Sequence, residues 1–195
     1  MTGTGQRAGV VTKNRIMSGA ADLFSQNGYR STSMRNVAEK AGLQVSSLYR
    51  HVAGKQDLLY TVLDRLMDEV LEAGTKALAE GADPPDRLRH LIHNNICLVR
   101  PQEAALLQSE LGNLEPRYRS RLIEKRDAYQ RMWLSVLEDG VERGDFVVQD
   151  AKVVFFGIIG AVNYVEFWHS PSGNLSRAEV AGIFADWILK SLEVP

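Results

Sequence analysis

The chain has 195 residues, 45% hydrophobic and 24% charged, with a formal net charge of −1. That composition excludes a disordered, collagenous or uniformly polyanionic chain, and the length suits one domain or two small ones. A single cysteine, Cys97, excludes an internal disulfide framework and fits a reducing compartment. The near-neutral total conceals an asymmetry. Residues 1–55 carry eight basic residues against two acidic ones, a surplus of six, while the remainder carries fifteen basic against twenty-two acidic. A basic head on an acidic body is the charge pattern of a protein whose head meets a polyanion.

Taken in chain order, the opening "MTGTGQRAGVVTKNR" has no apolar stretch of signal-peptide kind, so a cytoplasmic protein with a flexible arm over residues 1–10 is expected. Ile16, Ala20, Leu23, Phe24 and Asn27 recur at helical spacing, and Gly28 closes that first helix. A second helix is capped by Ser31, Thr32 or Ser33 and buries Met34, Val37, Ala38 and Ala41. Gly42 marks a tight turn into a short third helix, "VSSLYRHV", with Leu48 and Val52 inward. A long fourth helix is expected from about Lys55 to Leu78.

Beyond "EGADPP", Pro84-Pro85 starts a fifth helix that stops before Pro101. "QEAALLQSEL" reads as a short sixth helix before the loop "GNLEP", and a long seventh runs from about Arg117 to Arg143. Asp150 caps an eighth, whose run "VVFFGIIGAVNYVEFW" is broken by Asn163 and Glu166 and is expected to fall short of a membrane span. Ser176 and Glu179 open the ninth as a capping box. The fold class expected is all-α, about nine helices, with a reading domain over 1–54 and a ligand-binding and dimerisation domain over 55–195.

Three short helices with a glycine turn between the second and third make a helix-turn-helix. "GYRSTSMRNVAEKAGLQVSSLYRHVAGKQDLL" resembles the DNA-binding signature of the tetracycline-repressor (TetR/AcrR) family of transcriptional regulators, a match over roughly residues 12–60. The resemblance implies that Thr32 and Ser33 hold a phosphate through hydroxyls and helix-end amides, and that Tyr49, His51 and Lys55 touch the DNA backbone. Gln44, Val45, Ser46 and Arg50 are the candidates for base edges in the major groove. Val52 and Gly54 depart from the family's usual phenylalanine and Ser or Asn cap, and Val45 stands where many members carry lysine.

The eighth helix is apolar nearly all round, so it needs cover on several faces. A homodimer through the last two helices is expected, with a double-stranded palindromic operator as its partner. The middle helices offer an apolar effector site with a few polar groups. Its candidates are His93, Ile96, Cys97 and Arg100, then Leu107, Glu110 and Leu111. They continue with Tyr118, Arg119, Leu122, Arg126 and Tyr129, facing Phe156, Ile159 and Asn163. "MWLSVLEDGVERGDF" and "EFWHSPSGNLSRAEV" are similar to TetR-type repressors that respond to acyl-CoA thioesters, which implies an apolar cavity with arginines at the phosphates. No cofactor is expected. No Ser/His/Asp or Cys/His arrangement suggests an enzyme. Two alternatives stand beside the effector reading. One is a metal sensor through His90, His93 and Cys97; the other is a DNA-binding protein without an inducer.

Overall fold

A computed structural model describes residues 3–98, 106–107 and 109–193, with side chains from Val11 onward. It contains α1 (Gly3–Asn27), α2 (Met34–Lys40), α3 (Val45–Leu48), α4 (Lys55–Glu80), α5 (Pro84–Leu98), α6 (Pro116–Arg143), α7 (Ala151–Trp168) and α8 (Arg177–Leu192). A 3-10 turn occupies Leu111–Asn113, and no strand occurs among the described residues. The all-α expectation holds. Three local readings change. The chain is already helical from Gly3, where a flexible arm was expected. Regular α-helix in α3 stops at Leu48, although the Val52 N–H still donates to the Leu48 carbonyl at 3.2 Å. Half of the expected sixth helix, residues 102–105 and 108, lies outside the described residues, while 106, 107, 109 and 110 are helical.

The chain divides into two compact units, one of residues 1–66 with 101–122 and one of residues 67–100 with 123–195. Helices α4 and α6 each contribute residues to both. In the first unit, Ile16, Ala20 and Phe24 of α1, Val37 and Ala38 of α2, Leu48 of α3 and Leu58, Leu59 and Leu63 of α4 are all essentially buried. At about 1.5–3 kcal/mol for each large apolar side chain removed from water, this interior holds a third helix of barely one turn that propensity alone would not sustain. Local chemistry fixes its corners. Ser33 caps α2 in a capping box with Asn36, and Gly42, at φ +66°, makes the turn into α3.

In the second unit one core joins Leu88, Leu91, Ile92 and Ile96 of α5, Trp133, Val136 and Leu137 of α6, Phe155, Ile158, Val162 and Val165 of α7 and Val180, Ala185, Ile188 and Leu192 of α8. Asp150 caps α7 by accepting from the Lys152 and Val153 N–H groups. Ser176 and Glu179 form the capping box of α8, and those hydrogen bonds hold the Glu179 carboxyl below its ordinary range. Arg177 ties three elements together, donating from Nε to the Ile96 carbonyl at 2.7 Å and from Nη1 to Glu166 at 3.1 Å.

Helix α7 corrects one expectation. At 18 residues and a mean hydropathy of 1.3 it is long and apolar enough to cross a membrane by those two measures, Asn163 and Glu166 notwithstanding. Only 22% of it is buried within the chain, and Val153, Phe156, Tyr164, Phe167 and Trp168 are each 49–69% exposed.

Candidate nucleic-acid interface

The face opposite the buried Leu48 and Val52 carries Gln44, Val45, Ser46, Tyr49, Arg50 and His51, all exposed. Val45 is 37% and Tyr49 51% accessible, high values for apolar and aromatic groups on so small an element. Gln44 supplies the N-cap backbone of α3 but makes no capping hydrogen bond with its side chain, which is left for other partners. The Arg50 guanidinium donates through Nη2 to Ser47 Oγ at 2.8 Å, a bridge that steadies it against its own helix. A fork of five donors keeps further N–H groups for an acceptor pair such as guanine O6 and N7.

The residues expected at the DNA backbone separate into three kinds. Ser33 is exposed, at the start of α2. Lys55 is half-buried, with its ammonium donating to the Arg30 carbonyl at 3.0 Å and lying 4.4 Å from the centre of the Tyr29 ring. Burial lowers the Lys55 pKa, an effect that Glu110 partly offsets. Thr32 corrects its expectation. It is 2% exposed, and its hydroxyl is shared between the Leu23 and Gly28 carbonyls at 3.1 and 3.0 Å. That hydroxyl packs over the last turn of α1, satisfying the Gly28 carbonyl beyond its end, and does not reach outward to a phosphate.

The effector candidates distribute over both units. In the first, Leu122 is fully buried, Leu107 and Leu111 are half-buried and Arg119 is exposed. Glu110 accepts from Asn113 Nδ2 at 2.6 Å, and Tyr118 stacks on Tyr60 with ring centres 4.5 Å apart. In the second, Ile96 is core and Tyr129, Ile159 and Asn163 are half-buried. Burial pushes the Tyr129 phenol up, and Asn95, itself 8% exposed, lies 3.5 Å from its oxygen. Gly74 lets α4 approach Tyr129 and Met132 closely, since a Cβ there would sit 3.0 Å from the Met132 sulfur. Arg126 is exposed and pairs with Asp127 at 3.2 Å, and Arg100 lies outside the described residues. Phe156 is corrected. Rather than facing inward it is 54% exposed, on the uncovered side of α7.

The metal alternative finds no support. Among the described residues no group of three His, Cys, Asp or Glu side chains is disposed to hold an ion. His90 approaches Asp86 at 3.8 Å, while the exposed His93 lies 3.7 Å from the Cys97 sulfur. Burial raises the Cys97 thiol pKa, against a smaller opposing effect of Arg177.

Sequence reasoning missed Gln56. Its carboxamide donates to the Asn113 carbonyl at 2.8 Å and accepts from the Glu115 N–H at 3.0 Å, across more than fifty residues of chain. No periodicity or local spacing signals such a contact.

Comparison with known proteins agrees with this architecture. Residues 16–62 match the family model described as bacterial regulatory proteins, tetR family, and residues 81–192 match the tetracyclin repressor-like C-terminal domain. The HTH-type transcriptional repressor KstR2 of Mycobacterium tuberculosis (strain H37Rv) is 29% identical over 179 residues, covering 89% of this chain and 90% of its own. The crystal structure of PfmR, a TetR family transcriptional regulator from Thermus thermophilus, is 30% identical with a TM-score of 0.80, over 92% of this chain and 100% of that one. That of AibR in complex with isovaleryl coenzyme A and operator DNA is 25% identical with a TM-score of 0.80, over 94% and 99%. With a reading helix exposed on a basic head and family models spanning both head and body, the chain belongs to the TetR family of DNA-binding transcription regulators and is not an enzyme.

Proposed function

We propose that this protein is a homodimeric repressor that sits on a palindromic operator in the cytoplasm and is released by an acyl-CoA thioester. The observation that carries the effector class is the likeness over nearly the whole chain to AibR, whose structure holds both isovaleryl coenzyme A and operator DNA. The repressor sense is supported by the likeness to KstR2. On this reading Gln44, Val45, Ser46 and Arg50 meet base edges, and Ser33, Tyr49, His51 and Lys55 meet phosphates. Residues 1–54 read DNA, and residues 55–195 bind the effector and dimerise. Ile96, Tyr129, Ile159 and Asn163 offer the acyl chain an apolar lining with two polar groups, half-buried or deeper throughout. The dimer is supported by the uncovered apolar side of α7 and α8, where Tyr164, Phe167, Ile183 and Trp187 are each more than half exposed.

Release then follows linkage. The thioester must bind the DNA-incompetent state more tightly, and DNA must weaken thioester binding by the same factor. Fluorescence anisotropy on a duplex from upstream of the protein's own gene tests this, titrated with isovaleryl-CoA and with longer acyl-CoAs. The expected result is a rise in the apparent Kd of roughly 5–150-fold at saturating thioester. Unchanged DNA binding across the whole acyl series would refute the effector class.

A further inference from the structure

The first turn of α4 faces two ways. Lys55 holds the corner after α1, through the Arg30 carbonyl and the Tyr29 ring. The next residue, Gln56, is turned about 100° around the helix and spans Asn113 and Glu115 with both ends of its carboxamide. Leu114, between them, is buried. Glu115 is where α6 begins, because the Tyr118 and Arg119 N–H groups both donate to its carbonyl ahead of Pro116 at the first helical position. Gln56 therefore satisfies a backbone donor and a backbone acceptor of the loop that launches α6. Asp57 adds a second attachment, accepting from the Tyr118 hydroxyl at 3.4 Å with one oxygen and from the Ala53 N–H at 2.9 Å with the other. Tyr60, one turn further on, stacks on Tyr118, and Arg30 reaches Asn113 Oδ1 at 3.4 Å.

Four side chains, Arg30 at the corner after α1 and Gln56, Asp57 and Tyr60 on the first turns of α4, thus grip residues 113–118 within the first unit. These contacts lie within the first unit, to which the described residues from 106 to 122 belong. We propose that Gln56 is a positioning residue for regulation: it clamps the start of α6 to the recognition unit, so that displacement of α6 by an effector moves the DNA-reading helix. The inference rests on the regulator reading above but not on the chemical class of the effector. Helix α4 alone would give the head one covalent lever; Gln56 gives it a second, non-covalent one.

Amide hydrogen exchange on the full-length protein tests the clamp with duplex DNA as the only ligand. In the wild type, saturation with the upstream duplex at low salt should slow exchange across residues 106–122, because DNA fixes the head to which they are attached. In Gln56→Ala the DNA affinity should stay within roughly threefold, a change small against ordinary coupling energies, while that protection is lost. Gln56→Glu keeps the acceptor for Glu115 but sets a carboxylate against the Asn113 carbonyl, and should lose most of the protection as well. Melting temperatures of both variants distinguish uncoupling from unfolding, since a merely structural glutamine would lower the melting temperature and leave the DNA-dependent protection intact. Equal protection in Gln56→Ala and wild type, or none in the wild type, overturns the clamp. In a second arm with isovaleryl-CoA, loss of thioester response in Gln56→Ala with wild-type DNA affinity supports it, whereas full response in the variant overturns it. A wild type that protects residues 106–122 yet ignores every thioester refutes the effector class alone.

Discussion

Thr32 and Arg50 lie in one contiguous motif, yet the structure assigns them opposite work. The Thr32 hydroxyl is buried against carbonyls at the end of α1, whereas Arg50 stands exposed in the turn just after α3, braced by Ser47. Thr32→Val keeps the shape and removes the donor, leaving the Gly28 carbonyl short of a partner at a cost of about 1–3 kcal/mol. The expected outcome is a lower melting temperature with near-normal DNA affinity measured well below the transition. Arg50→Ala should show the converse: unchanged stability and a loss of about 1–3 kcal/mol in discrimination between cognate and random duplex. A Thr32→Val protein that melts normally but binds all DNA weakly would restore the phosphate role. The difference between the two residues was not visible in the sequence, because a hydroxyl beside a helix start suits either task and only burial decides. Arg50, Gln44 and Tyr49 could be assigned to the open face because Leu48 and Val52 fix the inner side of the helix by spacing.

At the scale of single elements, helix starts were readable wherever a side chain does the capping. Ser33, Asp150 and Ser176 each cap the helix expected of them. Elements governed by distant partners were not readable. The tie of Gln56 to residues 113 and 115 is the case in point, whereas the C-terminus of α6 falls at Arg143, where it was expected. There Gly144, at φ +77°, ends the helix, and the Gly140 carbonyl accepts from both the Asp145 and Phe146 N–H groups, at 2.8 and 3.0 Å. The Phe146 ring then folds back over Gly140, so a Cβ at 140 would overlap that ring. Gly140→Ala gains about 1 kcal/mol of helix propensity and meets an overpacking penalty of about 1–3 kcal/mol or more, since Phe146 is buried and has little room to yield. Destabilisation wins, at roughly 2–4 °C in Tm per kcal/mol for a chain of this size. Gly112→Ala, where a Cβ meets nothing within 4 Å, is the control and should melt as the wild type does. A Gly140→Ala protein as stable as that control would show that Phe146 moves aside.

For the whole molecule the deciding feature is apolar surface without cover. Val153, Phe156, Tyr164 and Phe167 line the outer side of α7 at 54–69% exposure, with Ile183 and Trp187 exposed on α8. Gly157 and Gly160 lie bare among them, with nothing near a Cβ at either position. A groove of about 680 Å³ lined by Val147, Val153, Gly157, Trp187 and Leu192 continues that surface. Large side chains interleaved with exposed glycines suit close approach by other helices, and in a two-fold assembly the covering helices are the same pair from a second copy. Aromatic residues central to such an interface are typically worth about 2 kcal/mol or more each, so Phe167→Glu with Trp187→Glu should convert the protein to monomer at concentrations where the wild type is dimeric. Sedimentation velocity reads the change, and circular dichroism should show the helices retained, because neither side chain is buried within its own chain. A monomeric wild type, or a double variant that still sediments as the dimer, would exclude this face. DNA supplies the sharper criterion. A dimer presents two reading helices to half-sites one helical turn or more apart, so the double variant should bind an intact palindrome no better than a single half-site. Equal weakening on both duplexes would instead place the damage in the reading head.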